Sequence, residues 1–130
     1  VLGVFGGRVA GSVIEVGGIS WIVLEERNDI LCVSKEILGR AACGKDSKHF
    51  LTSQMEKVVG HQEIDFWLIP SISDYKKFRF LLWLDTDWWL SDQSGDGSIA
   101  YVDRKGRIRW SDASELHGIR CFIRFKGGKL

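Results

Sequence analysis

At 130 residues the chain has the length of one domain, enough to bury a hydrophobic core and too little for two. Eighteen Lys and Arg against 17 Asp and Glu leave a net charge of +1, which removes the electrostatic case for a dedicated nucleic-acid or anionic-membrane binder and leaves room only for a small basic patch. Hydrophobic residues make up 45%, and no apolar run approaches the roughly 18 to 20 residues of a membrane span, so the composition is that of a soluble globular domain.

The chain starts at Val1 rather than Met, and Val1 to Phe5 is too short for the apolar region of a signal peptide. The expectation is a mature or trimmed chain whose compartment is open, a bacterial cell surface or secretion included. The stretch "RVAGSVIEVGGISWIVLEE" reads as short strands broken at Gly11 and at Gly17-Gly18, where positive φ is cheap. "SWIVLEE" and "DILCVS" flank Arg27-Asn28 and predict a hairpin. Residues 39 to 62 give no clear element before Ser53. There, Ser53 and Glu56 form a capping-box pattern, and Met55, Val58 and Val59 share a face, which predicts a short helix over "SQMEKVVGH" ending at Gly60.

"IDFWLIP" is a β-branched and aromatic run that stops at Pro70, the only proline. Ser71 and Asp74 repeat the capping pattern, and Tyr75, Phe78 and Leu82 line one face of a helix over about residues 72 to 81. In the last third, "SIAYVD" and "RIRWSD" alternate around Arg104-Lys105-Gly106, and "GIRCFIRF" places Ile119, Cys121, Ile123 and Phe125 on one side. The order of elements predicts one α+β domain over residues 1 to 130, with mostly antiparallel strands and two short helices in the middle. Cys32, Cys43 and Cys121 are odd in number and lack C-x-x-C spacing, which predicts thiols held within the fold rather than a disulfide framework or a zinc site.

Five blocks together resemble a known family: "VIEVGGISWIVLE", "ILCVSKEIL", "FWLIPSISDYKKF", "DWWLSDQSGDGSIAYVDRKGRI" and "HGIRCFIRF". In this order they are similar to the recurring blocks of DUF6273, a bacterial domain family of unknown function. The match covers about two thirds of the chain and is strongest at Trp88-Trp89-Leu90, Ala100-Tyr101-Val102-Asp103, Gly106 and Gly118-Ile119-Arg120. Ser91-Asp92 and Cys121-Phe122 depart from the family's Arg-Ser and Pro-Ala, and residues 39 to 62 lack its tryptophan-containing segment. The resemblance implies a C-type-lectin-like fold, with Trp21 in the core and a loop-rich half that presents a ligand surface.

Catalytic patterns are absent: His49, His61 and His117 are scattered, and the chain carries no nucleophile elbow, phosphate loop or dinucleotide fingerprint. An enzyme with a dispersed site is the least supported reading. Asp85, Asp87, Asp92, Asp96 and Asp103 could offer oxygen to calcium, but "DQSGDGS" lacks the closing Glu of an EF-hand, so no cofactor is expected and calcium is the alternative. Trp67 and Trp110 are expected in the core, whereas Trp88 and Trp89 point to opposite faces, one inward and one available for contact. The candidate ligand-binding residues are therefore Trp89, Ser91, Asp92, Asp96, Tyr101, Asp103, Arg107 and Arg109, beside Ser111 on the hairpin's polar face. Trp21, Trp88 and Arg120 are expected to be structural. The function expected is non-enzymatic recognition of a carbohydrate or a protein surface through residues 88 to 112. The alternative is an interaction or inhibitor protein of phage or mobile-element type, acting on one protein partner. No nucleic acid partner and no membrane span are expected.

Overall fold

The computed structural model describes residues 9 to 126, so the expectation about Val1 to Phe5 lies outside the described residues. In chain order the elements are β1 (Val13–Val16), β2 (Ile19–Glu26), β3 (Ile30–Ser34), β4 (Gly39–Ala41), α1 (Lys45–Val59) and β5 (Ile64–Leu68). Then follow α2 (Ile72–Lys77), α3 (Arg79–Leu82), β6 (Trp88–Gln93), β7 (Ile99–Val102), β8 (Ile108–Ser111), β9 (His117–Ile119) and β10 (Phe122–Phe125). The α+β class holds. The helices differ from expectation: the described residues hold three, and the first is 15 residues long.

One sheet has the order β1-β2-β3-β10-β5 and is antiparallel throughout; the other has the order β4-β9-β6-β7-β8, with one parallel pairing, β6 to β9. The β1–β2 turn uses Gly17 and Gly18 at φ 65 and 77, the left-handed pair of a tight hairpin. A Cβ on Gly17 would lie 2.6 Å from the Lys57 carbonyl oxygen, so the turn rests on the last turn of α1.

Side-chain alternation sends residues of both sheets into both of two core clusters. Trp21, Val23, Cys32, Trp89, Ile123 and Phe125 meet Leu51, Met55 and Val58 of α1 in the first. Leu24, Leu31, Val33, Trp88, Leu90 and Val102 meet Tyr75 and Leu82 of α2 and α3 in the second. The strands thus form a middle layer covered by α1 on one side and by the shorter helices on the other. All five residues of β3 are buried for this reason.

α1 begins just after Gly44, which provides no side-chain cap. Ser53 and Glu56 fall in the helix interior and do not start it. Ser71 does cap α2: its hydroxyl accepts from the Asp74 N–H, and the Asp74 carboxylate accepts from the Ser71 N–H, both at 3.0 Å. The single helix expected over 72 to 81 is divided at Phe78, whose φ of −112° ends α2. "GIRCFIRF" also divides, because the chain crosses from the second sheet to the first at Arg120-Cys121. Its four apolar residues still enter the first cluster together.

Two tryptophan placements are corrected. Trp67 is 38% exposed and Trp110 48% exposed, since β5 and β8 are edge strands and their outer flanks are only partly covered. Trp110 shares its face with Ile108, as the alternation requires, but lies nearer the rim. No disulfide joins Cys32, Cys43 and Cys121, and no helix among the described residues is long and apolar enough to cross a membrane.

Candidate functional site

Residues 88 to 111 build the core strands of the second sheet, and this decides what each can do. Trp89 is not a surface ligand-binding residue: β6 is the central strand, both of its faces are covered, and Trp88 and Trp89 are each fully buried on opposite sides. The Trp89 indole N–H donates to the Ala41 carbonyl at 2.7 Å and its ring packs edge-on against Tyr101. Trp21 is likewise fully buried, its indole N–H donating to the Val16 carbonyl at 3.2 Å.

The polar candidates are mostly engaged with the protein itself. Asp92 accepts the Ile72 N–H at 2.7 Å, fastening the start of α2 to β6. Asp96 closes its own turn, where the Ser94 hydroxyl and the Ser98 N–H hold its carboxyl at about 2. Asp103 accepts from the backbone of Lys105 and Arg107 and from the side chains of Arg107 and Arg109, at 2.9 to 3.1 Å. Burial opposes its ionisation, but these hydrogen bonds outweigh it and keep the carboxyl well below the usual range. Asp85 pairs with Arg104. The five carboxylates considered for calcium therefore do not converge, and no group of three His, Cys, Asp or Glu among the described residues could hold a metal ion.

A set that sequence reasoning missed surrounds His117. Its Nδ1 contacts the Asp87 carboxylate; its Nε2 lies 3.1 Å from the Ser111 hydroxyl and 3.4 Å from Glu115 Oε1. Tyr101 stacks on the imidazole at 4.0 Å and Trp89 meets it edge-on at 4.6 Å. Arg40 grips Asp87 with two hydrogen bonds, at 3.1 and 3.0 Å. Burial opposes ionisation of Asp87, but the bonds from Arg40 and His117 lower its carboxyl to about 2. Carboxylate, imidazole and hydroxyl stand in the order of an acyl-transfer relay. Yet Ser111 is only 7% exposed, and its hydroxyl donates to the Asp112 carbonyl at 3.0 Å, which turns the proton away from the imidazole. In this geometry His117 ties together four strands and the segments that join them. Gly118 follows because its backbone must approach closely: its N–H donates to the Asp87 carbonyl at 3.1 Å, and a Cβ would lie 2.7 Å from that oxygen.

Arg120, fully buried, donates to the carbonyls of Ser34, Lys35 and Leu82 at 2.6 to 3.3 Å and lies 4.9 Å from the centre of the Trp88 ring. It clamps the point where the chain changes sheets. Burial lowers its guanidinium to about 10, which leaves it cationic at neutral pH.

The concave surface lies elsewhere. A groove of about 550 Å³ runs between α1 and β5, with Leu51, Trp67, Leu68 and Leu90 among its apolar lining and Ser47 and Ser91 among its polar groups. Ser91 is the one sequence candidate that reaches it; the Ser91 N–H donates to the Pro70 carbonyl at 2.9 Å, which fixes the residue at the groove wall. Cys43 is also at its wall, and burial pushes that thiol up, away from thiolate reactivity.

Compared with family models, curated proteins and solved structures, the chain matches none.

Proposed function

We propose that the chain is a non-enzymatic recognition module that takes an extended segment of a partner protein into the groove between α1 and β5. The observation that carries this reading is the groove's form: about 550 Å³, walled by Leu51, Trp67 and Leu68, beside an edge strand. That volume and apolar lining are usual for ligand sites. An edge strand carries unpaired backbone groups along its outer side, and a partner strand can bond to them while its alternate side chains enter the apolar space. An interaction or inhibitor protein of phage or mobile-element type would use the same chemistry.

The resemblance to DUF6273, and the C-type-lectin-like architecture it implies, supports the same class of function. In that architecture a loop-rich half presents the ligand surface; here the second sheet, with its short strands, would be that half, reaching the groove through Leu90 and Ser91 of β6. A carbohydrate on the hairpin is the second reading, favoured by the half-exposed Trp110 ring.

The test is selection of displayed random peptides on the full chain, with a glycan array in parallel. Peptides with alternating apolar residues should be enriched, and Trp67→Ala should weaken them at least about tenfold, the size of a truncated hot spot, while Tyr101→Ala leaves them unchanged. A glycan signal lost in Tyr101→Ala or Trp110→Ala, with no peptide enriched, would move the site to the hairpin.

A further inference from the structure

Phe80 is 99% exposed and Trp83, one helical turn on, is 62% exposed. Large rings left in water forgo most of the free energy their burial releases, and neither ring serves the groove or the His117 set. Cations stand close to them along the chain. Arg79 is on α3 with Phe80, four residues before Trp83, and Lys76 is at the end of α2, across the break at Phe78. The β7–β8 turn adds Arg104 and Lys105 to the same rim: the Gly106 carbonyl accepts from the Tyr75 hydroxyl at 2.6 Å and from Arg79 at 3.4 Å, and Arg104 lies 3.7 Å from Asp85. Among the described ion pairs Asp85 takes Arg104, Asp103 takes Arg107 and Arg109, and Glu25 takes Lys77, which leaves Lys76, Arg79 and Lys105 as the rim's excess of positive charge.

We propose that this surface seats the protein on an anionic lipid bilayer, with Phe80 and Trp83 entering the boundary between headgroups and acyl chains and the surrounding cations facing the headgroups. Two features favour lipid over other polyanions. Phe80 stands almost wholly clear of the protein and can enter the headgroup boundary without rearrangement, as the apolar residues of interfacial helices do. Lysines are depleted from protein–protein contacts and are frequent where a surface meets anionic lipid. Apolar insertion and cationic attraction are the two signals that together give stable peripheral binding. The net charge of +1 bears on the molecule as a whole and not on this rim.

The full chain is sedimented with extruded vesicles of phosphatidylcholine, with and without roughly 30% phosphatidylglycerol, at low and high salt. Binding should favour the anionic vesicles at least about tenfold and weaken with salt, as screened charge requires. The Phe80→Ala/Trp83→Ala and Lys76→Glu/Lys105→Glu double variants should each lose about tenfold or more; these side chains are exposed, and circular dichroism confirms that the variants fold. Trp67→Ala should bind vesicles like the parent, which separates this surface from the groove. No sedimentation of the parent with anionic vesicles, or unchanged sedimentation of both double variants, overturns the proposal. Binding to oligothymidylate that these variants abolish, without vesicle binding, assigns the patch to single-stranded nucleic acid and overturns it as well.

Discussion

The buried guanidinium of Arg120 has three carbonyls and one indole face for company, and no carboxylate among the described residues. Removing it leaves the Ser34 and Leu82 oxygens short of a donor, so Arg120→Met, which keeps most of the volume, should cost about 3 kcal/mol in urea unfolding at neutral pH. A variant as stable as the parent would mean that the clamp contributes nothing net. Asp87 gives a signed pH prediction. Its folded pKa of about 2 lies below the ordinary 3.8, so its contribution is fully present above that ordinary value and is lost as pH falls through the folded one. Urea midpoints should therefore decline between pH 4 and about 2. Asp87→Asn should flatten part of that decline and lower stability at pH 7 by about 1 kcal/mol, a figure reduced for the solvent that reaches the pair. Subtracting the two profiles separates Asp87 from Asp96 and Asp103, whose carboxyls are also depressed.

At the scale of elements, two serines with the same local pattern have opposite consequences. Ser71 caps α2, so Ser71→Ala should lower stability by about 1 kcal/mol. Ser53 is exposed in the interior of α1, where Ala is the better helix former, so Ser53→Ala should raise stability by a few tenths of a kcal/mol. Thermal melts of the pair check both signs. The cap at Ser71 was legible because capping involves four consecutive residues. The start of α1 was not, because it has no side-chain cap and the helix is fixed by packing of Leu51, Met55 and Val58. Hairpins and alternation were readable for the same local reason. Which strand lies at the centre of a sheet was not, and that alone reverses Trp89 from available to buried and Trp67 and Trp110 from buried to partly exposed. The His117 set was illegible too: it joins Arg40, Asp87 and Ser111, residues up to 47 positions from one another within a single pair. The groove draws on α1, β5 and β6, and among its residues only Ser91 is a candidate ligand contact in the sequence, whereas Trp67 and Leu90 read there as parts of the fold.

For the molecule as a whole, both core clusters take residues from both sheets. Neither sheet keeps its core when the other opens, so unfolding should be a single cooperative step. Tryptophan fluorescence and far-ultraviolet circular dichroism should give superimposable urea transitions, and a separation between them would show that the sheets unfold independently. The place of β10 adds a consequence of another kind. It lies between β3 and β5 and bonds to both, yet among the described strands it is the last to leave the ribosome. Until it arrives, the first sheet is two separate pieces, and β3, buried on both faces in the finished protein, offers an open apolar edge to any neighbouring chain. The hazardous interval in this protein's life is thus its own synthesis, when nascent chains on one messenger stand side by side and every other described strand has been made before the keystone.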